Sequence, residues 1–209
     1  MMRKLEQQYS QLSIDITRQL SKDEKKEYGI FITPQVIIKK LVESILNYSR
    51  QNGIQIQTIL EPSCGSCEII NYCDNIFTGI RIDGIELNDK MFNSIKHLNF
   101  KNQVEIIHQD FINFKSVNKY DLIIGNPPYF VLEKGYEIPK NMEPYICGRP
   151  NIFGLFIIQS ISMLSQNGIL AFIIPKSFLN SSYYSKIRNH IKETCEIIKI
   201  IDFEEDNKF

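Results

Sequence analysis

The sequence predicts a doubly wound α/β domain, an open and mostly parallel sheet with helices on both faces. Three observations predict it. Short apolar runs alternate with segments of helical period. The run at residues 120–125, YDLIIG, is almost continuously apolar, as a strand buried on both faces must be. Turn-forming or acidic residues follow successive apolar runs, where such sheets bind ligands. The 209 residues suit one such domain, and an apolar content of 43% supplies its core.

Residues 1–27 are polar and weakly periodic, an N-terminal extension to a domain spanning residues 28–209. Pro34 opens a helical pattern carried by Val36, Ile37, Lys40, Leu41, Ser44 and Ile45. A strand at 57–61 runs into a Pro-Ser-Cys-Gly turn and a helix at 67–77. A strand at 80–86, a helix at 89–100 and a strand at 103–108 follow, then the apolar strand at 120–125. Residues 130–149 form a loop. A helix at 152–164, a strand at 168–175, a helix at 183–192 and a last strand at 196–203 complete the pattern.

Composition narrows the function. No apolar run is long enough to span a bilayer and the N-terminus has no hydrophobic signal region, so a soluble, cytoplasmic protein is expected. Five cysteines without a signal region do not suggest a disulfide framework. The formal net charge is zero, so any phosphate contact must come from a local basic face.

Four segments at predicted strand ends carry chemistry: Glu61-Pro62-Ser63-Cys64-Gly65, Glu86-Leu87, Asp110-Phe111 and Asn126-Pro127-Pro128-Tyr129. Any one acid there is equally at home as a helix N-cap, whereas an acid after each of three successive strands forms a pattern. Gly65 lets the backbone approach a ligand closely. The turn lacks the Lys and the Gly spacing of a phosphate-binding loop, and Glu61 repels phosphate but suits a cationic amino-acid group. Glu86 stands where a carboxylate grips ribose hydroxyls in dinucleotide folds, and Asp110 can accept a hydrogen bond from an adenine amino group. An adenosine ligand with an amino-acid end and no phosphate is S-adenosylmethionine.

Asn126-Pro127-Pro128-Tyr129 is the most specific segment. Two prolines hold the chain extended and leave carbonyls without neighbouring amide hydrogens. The Asn126 side-chain oxygen and the Pro127 carbonyl can then accept both hydrogens of a substrate NH2 group, while Tyr129 offers a flat face for stacking. Accepting both hydrogens draws an aromatic amine toward tetrahedral geometry and frees its lone pair.

The stretch from Asp121 through Asn126-Pro127-Pro128-Tyr129 resembles the catalytic motif of amino-methyltransferases, especially the gamma class of DNA adenine-N6 methyltransferases of type II restriction–modification systems. The resemblance covers about residues 28–209, in order and spacing. It implies cofactor contacts from Phe31, Thr33 and Pro34, from Glu61, Pro62, Cys64 and Gly65, from Glu86 and Leu87, from Asp110 and Phe111, and from Asn126 and Phe156. It implies a target adenine flipped from the duplex and stacked on Tyr129, with Phe209 as a second aromatic. Lys176 is a candidate DNA contact, placed after the strand at 168–175. The sequence departs from the family at Cys67, where a second glycine is usual, and at its end, before the closing antiparallel strand and target-recognition domain that the family carries, so one expectation is a fragment of a longer chain. A separate specificity subunit is the alternative source of recognition.

Other readings stay open. The same motif serves methylation of protein glutamine or of an RNA base, and a degenerate methyltransferase fold can serve as a non-catalytic nucleic-acid-binding subunit. Cys64 and Cys67 form a C-x-x-C, but no second Cys/His pair is spaced to complete a zinc site, so no metal is expected.

Overall fold

The computed structural model describes residues 9–21 and 31–203. Its centre is a five-stranded sheet of β1 (Thr58–Glu61), β2 (Arg81–Glu86), β3 (Gln103–His108), β4 (Tyr120–Gly125) and β5 (Leu164–Phe172). The order is β3-β2-β1-β4-β5, and every pairing is parallel. The helices are α1 (Gln11–Gln19), α2 (Gln35–Asn52), α3 (Glu68–Ile76), α4 (Asp89–Ile95), α5 (Ile152–Met163), α6 (Ser177–Asn180) and α7 (Ser185–Thr194).

The two-residue period of the strands splits the core into two layers. Ile59, Ile82, Leu122, Ile124, Ile169 and Ala171 face one layer with Ile38 and Val42 of α2 and Ile69, Ile70 and Cys73 of α3. Leu60, Ile85 and Ile123 face the other, with Phe153, Leu155, Phe156 and Ile157 of α5 and Ile187 of α7. The α5 helix is buried nearly all round, which accounts for its uniformly apolar sequence. Ile16 and Leu20, at the N-terminal end of the described chain, join the first layer. No described helix is long and apolar enough to cross a membrane.

Local chemistry sets the element ends. Gly53 closes α2 with φ +65°, its N–H bonded to the Ser49 carbonyl. Asn88 caps α4 by accepting from the Lys90 and Met91 amides, and Asn151 caps α5 by accepting from Phe153. The helix expected over 89–100 stops at Ile95. The Asn93 and Ser94 side chains bond back to the Asp89 and Lys90 carbonyls, an alternative that weakens a helix. Asp121 ties three strands together at the opposite end of the sheet from the candidate site. Its carboxylate accepts from the Gln57 and Thr58 amides and from the Thr58 and Ser165 hydroxyls.

The strand expected over residues 196–203 does not form. Ile197, Ile198 and Ile200 are exposed, and no described strand pairs with this segment. A helix closes its own hydrogen bonds, but a strand exists only against a neighbour, so an apolar β-prone run is insufficient by itself.

Two glycines mark close approaches. At Gly168 a Cβ would stand 2.8 Å from the Tyr120 carbonyl oxygen and 3.0 Å from that of Ser165, both main-chain atoms that cannot move aside. At Gly84 it would meet the tip of Ile70 at 2.5 Å, a side chain that can change rotamer. Gly168→Ala is therefore expected to lower unfolding free energy by ~3 kcal/mol and Gly84→Ala by ~1–2 kcal/mol. Urea melts compared at unchanged slope check that ranking.

Candidate functional site

The strand order reverses beside β1: β2 and β3 lie on one side and β4 on the other. In open parallel sheets the loops on the two sides of such a reversal diverge, and ligands bind in the space between them at the carboxyl end. Residues 62–67 and 126–129 form its two sides, joined by the Ser63 hydroxyl, which donates to the Asn126 carbonyl at 3.3 Å. Ser63 lies inside a quoted motif, yet nothing in the sequence distinguished it as the link.

The turn after β1 is held from several directions. The Cys64 amide donates to the Ile85 carbonyl at 2.8 Å and the Cys67 amide to the Cys64 carbonyl at 2.7 Å. Glu86 accepts from the Gly65 amide at 2.8 Å and the Asn88 amide at 2.7 Å, so one carboxylate braces both this turn and the start of α4. Cys67 takes φ +62°, the left-handed conformation that explains why glycine is usual there. Its side chain is fully buried in the helix–sheet core, beside Cys64. Ser13 of α1 bonds to Ser66 at 2.7 Å and also to Glu68, while the Ser10 amide donates to Glu68 at 2.8 Å. This polar anchoring of the turn by the N-terminal segment had no visible signal in the sequence.

Glu61 ends β1 fully buried, accepting from the Ile70 amide at 3.2 Å. Burial holds its carboxyl well above the usual carboxylate range; nearby Glu86 and Glu68, acids themselves, push in the same direction. Burial also raises Glu86, although the Asn88 and Gly65 amides oppose this. Such a group favours a cation nearby, because a positive charge would restore its ionised form. The Cys64 thiol is raised by its bond to Cys67 and by burial, and Cys73 chiefly by burial; these are inert thiols. No group of three or more His, Cys, Asp or Glu among the described residues could hold a metal ion.

Asp110 caps the short turn of helix at Phe111–Asn113, accepting from the Ile112 amide at 3.0 Å and the Asn113 side chain at 2.7 Å. All three strand-end acids thus accept from nearby backbone amides. Phe111 and Phe156 are buried against each other with ring centroids 4.9 Å apart. Leu87 is exposed beyond the end of β2.

Asn126 follows β4 and points its amide nitrogen at the segment before α2. That nitrogen donates to the Thr33 hydroxyl at 3.1 Å and the Phe31 carbonyl at 3.3 Å. The amide oxygen receives the Tyr129 hydroxyl, which also reaches the Ile173 carbonyl at 2.6 Å. Burial raises the Tyr129 phenol, keeping it a protonated donor. Its ring lies 5.8 Å from that of Phe31, stacked at 29°, and meets the edge of Phe153 at 6.1 Å. Phe31 is 62% exposed beside Tyr129. Thr33 is buried, and Pro34 caps α2. Pro127 is buried and Pro128 half-buried.

Lys176 pairs with Asp202 at 2.8 Å on the surface after β5. Phe209 lies outside the described residues.

Comparison with known proteins gives the family and the fold. Residues 66–209 match the Eco57I restriction-modification methylase family. The modification methylase CviBIII of Paramecium bursaria Chlorella virus NC1A is 38% identical over 88% of this chain and 48% of its own length. The type II methyltransferase M.AccI of Acinetobacter calcoaceticus is 33% identical over 92% of this chain and 36% of its own. The chain thus spans half or less of the length of these relatives. A crystal structure described as a class I S-adenosylmethionine-dependent methyltransferase of Listeria monocytogenes superposes with a TM-score of 0.56 at 18% identity, over 76% of this chain and 50% of that one, which establishes the fold. With a family match over more than half its residues, on a sheet of the S-adenosylmethionine-dependent methyltransferase type, the chain belongs to the Eco57I restriction-modification methylase family.

Proposed function

We propose that the chain methylates the exocyclic N6 amino group of an adenine in DNA, with S-adenosylmethionine as methyl donor. One observation carries this reading. The acid-bearing turn after β1 and the amine-accepting turn after β4 are joined at one point, by Ser63 on the Asn126 carbonyl at 3.3 Å. Cofactor and amine can therefore meet in one crevice.

The cofactor supplies an electrophilic methyl group when bound. Glu61 would hold its cationic amino-acid end and Glu86 its ribose, and Asp110, Leu87, Phe111 and Phe156 would hold the adenine. The restriction-modification methylase family, with a modification methylase and a type II methyltransferase among the relatives, and the segment Phe31-Ile32-Thr33-Pro34 favour a DNA base over a protein amide. The target adenine is flipped from the duplex so that its amino group reaches Asn126, with its ring against Tyr129. Asn126 Oδ1 and the Pro127 carbonyl accept the two amine hydrogens. No strong general base is required, since positioning supplies much of the acceleration. Lys176 and, outside the described residues, Phe209 are the proposed outer DNA contacts.

Incubation with labelled S-adenosylmethionine and mixed-sequence DNA, followed by nucleoside mass spectrometry, tests this. N6-methyladenine is the expected product. Label in N4-methylcytosine, or in protein glutamine when protein substrates are supplied, would replace the adenine assignment.

A further inference from the structure

We infer that Thr33 is a positioning residue for Asn126, acting with the Phe31 carbonyl to fix which end of the Asn126 amide meets the substrate. The inference rests on the amine-accepting role proposed for Asn126 and assigns Thr33 a task beyond cofactor contact.

A side-chain amide is nearly symmetric in shape, with a donor on one end and an acceptor on the other. Its neighbours alone decide its orientation. At Asn126 the amide nitrogen faces two oxygens, Thr33 Oγ1 at 3.1 Å and the Phe31 carbonyl at 3.3 Å. A carbonyl can only accept, so the flipped amide would set two lone-pair-bearing oxygens against each other. The Thr33 hydroxyl gives the nitrogen its second partner and is itself buried. On the opposite end the Tyr129 hydroxyl approaches Oδ1. Because Tyr129 also reaches the Ile173 carbonyl, its single proton cannot satisfy both at once, and it leaves the amide orientation under-determined from that side. The Phe31 carbonyl therefore selects the orientation, and Thr33, whose hydroxyl can donate or accept, holds the amide within reach of that carbonyl. A carbonyl oxygen has two acceptor directions, so one remains on Oδ1 for a substrate amine even while Tyr129 occupies the other. With the amide reversed, a donor would confront the amine hydrogens and acceptance would fail.

The test uses the chain itself, with Thr33→Val and Thr33→Ser as the contrasting pair. The Asn126 side-chain amide is identified in a 15N–1H spectrum by its absence from Asn126→Ala. In Thr33→Val this amide pair is expected to shift upfield and exchange faster with water, while Thr33→Ser keeps it near its original position. In parallel, kcat for DNA methylation at saturating cofactor is expected to fall about tenfold in Thr33→Val and to be restored in Thr33→Ser, a larger change than any in affinity for S-adenosylhomocysteine. Should Thr33→Val not fold, Thr33→Ala carries the same comparison. An unmoved amide pair overturns the inference, as does a variant that loses only S-adenosylhomocysteine affinity. A parent chain with no activity on adenine would overturn the proposed reaction, while the amide spectrum still decides the role of Thr33.

Discussion

Asn126→Ala is expected to lower the single-turnover methyl-transfer rate by roughly 100- to 10,000-fold, the range typical of a positioned group that handles substrate protons. The adenine amine is a poor nucleophile while its lone pair is conjugated with the ring. Removing Asn126 removes one of the two acceptors that would draw it out of conjugation. Affinity for S-adenosylhomocysteine should fall far less than the rate, because the turn after β1 is held by Glu86, the Ile85 carbonyl and Ser13, none of which depends on the Asn126 side chain. Rapid-quench measurement with saturating cofactor, beside calorimetry with S-adenosylhomocysteine, separates the two. A rate within a few-fold of the parent would remove Asn126 from the chemistry. Asn126→Asp provides a sharper comparison. It keeps the shape but turns toward the Phe31 carbonyl an oxygen where the structure has a donor.

The second large effect concerns cofactor binding. Glu61→Gln is expected to weaken S-adenosylhomocysteine by about 100-fold near pH 8, the scale for removing one partner of a desolvated charge pair. The pH dependence has a definite sign. Burial raises the Glu61 carboxyl in the free protein, and a bound ammonium favours its ionised form. Binding therefore releases a proton, and affinity in the parent rises as pH rises through the raised value. Glu61→Gln flattens that profile. The linkage to folding runs the other way. An acid whose folded value is raised contributes stability that is present below its unfolded value and lost as pH rises through the folded one. The ligand-free variant should consequently lose less stability than the parent between pH 5 and 8. Calorimetry in buffers of different ionisation enthalpy, with thermal melts at both pH values, measures the two effects. A parent affinity independent of pH would show that Glu61 is not the ammonium's partner.

Much of this arrangement was legible in the sequence because it depends on local rules. The apolar run of β4, the Pro-Ser-Cys-Gly turn and the Asn-Pro-Pro-Tyr segment are each readable within a window of a few residues. Cys67 was visible as a departure, but its acceptance was not. That depends on a left-handed backbone at the residue and on a core beneath it that takes the side chain. The failure at residues 196–203 has a related origin, since the pattern reports the propensity to pair and not whether a partner strand is present.

By itself the sequence determined the parallel α/β plan, the strand-end positions of Glu61, Glu86, Asp110 and Asn126, and the chemistry that those residue types can perform. It could do so because periodicity, turn residues and side-chain functional groups are properties of short stretches. Only the tertiary structure decided that Ser63 joins the two turns, that Phe31 lies over Tyr129, and that Thr33 with the Phe31 carbonyl sets the Asn126 amide. Those contacts link residues some sixty to one hundred positions apart, and the direction of an amide depends on which distant donors and acceptors the fold brings beside it.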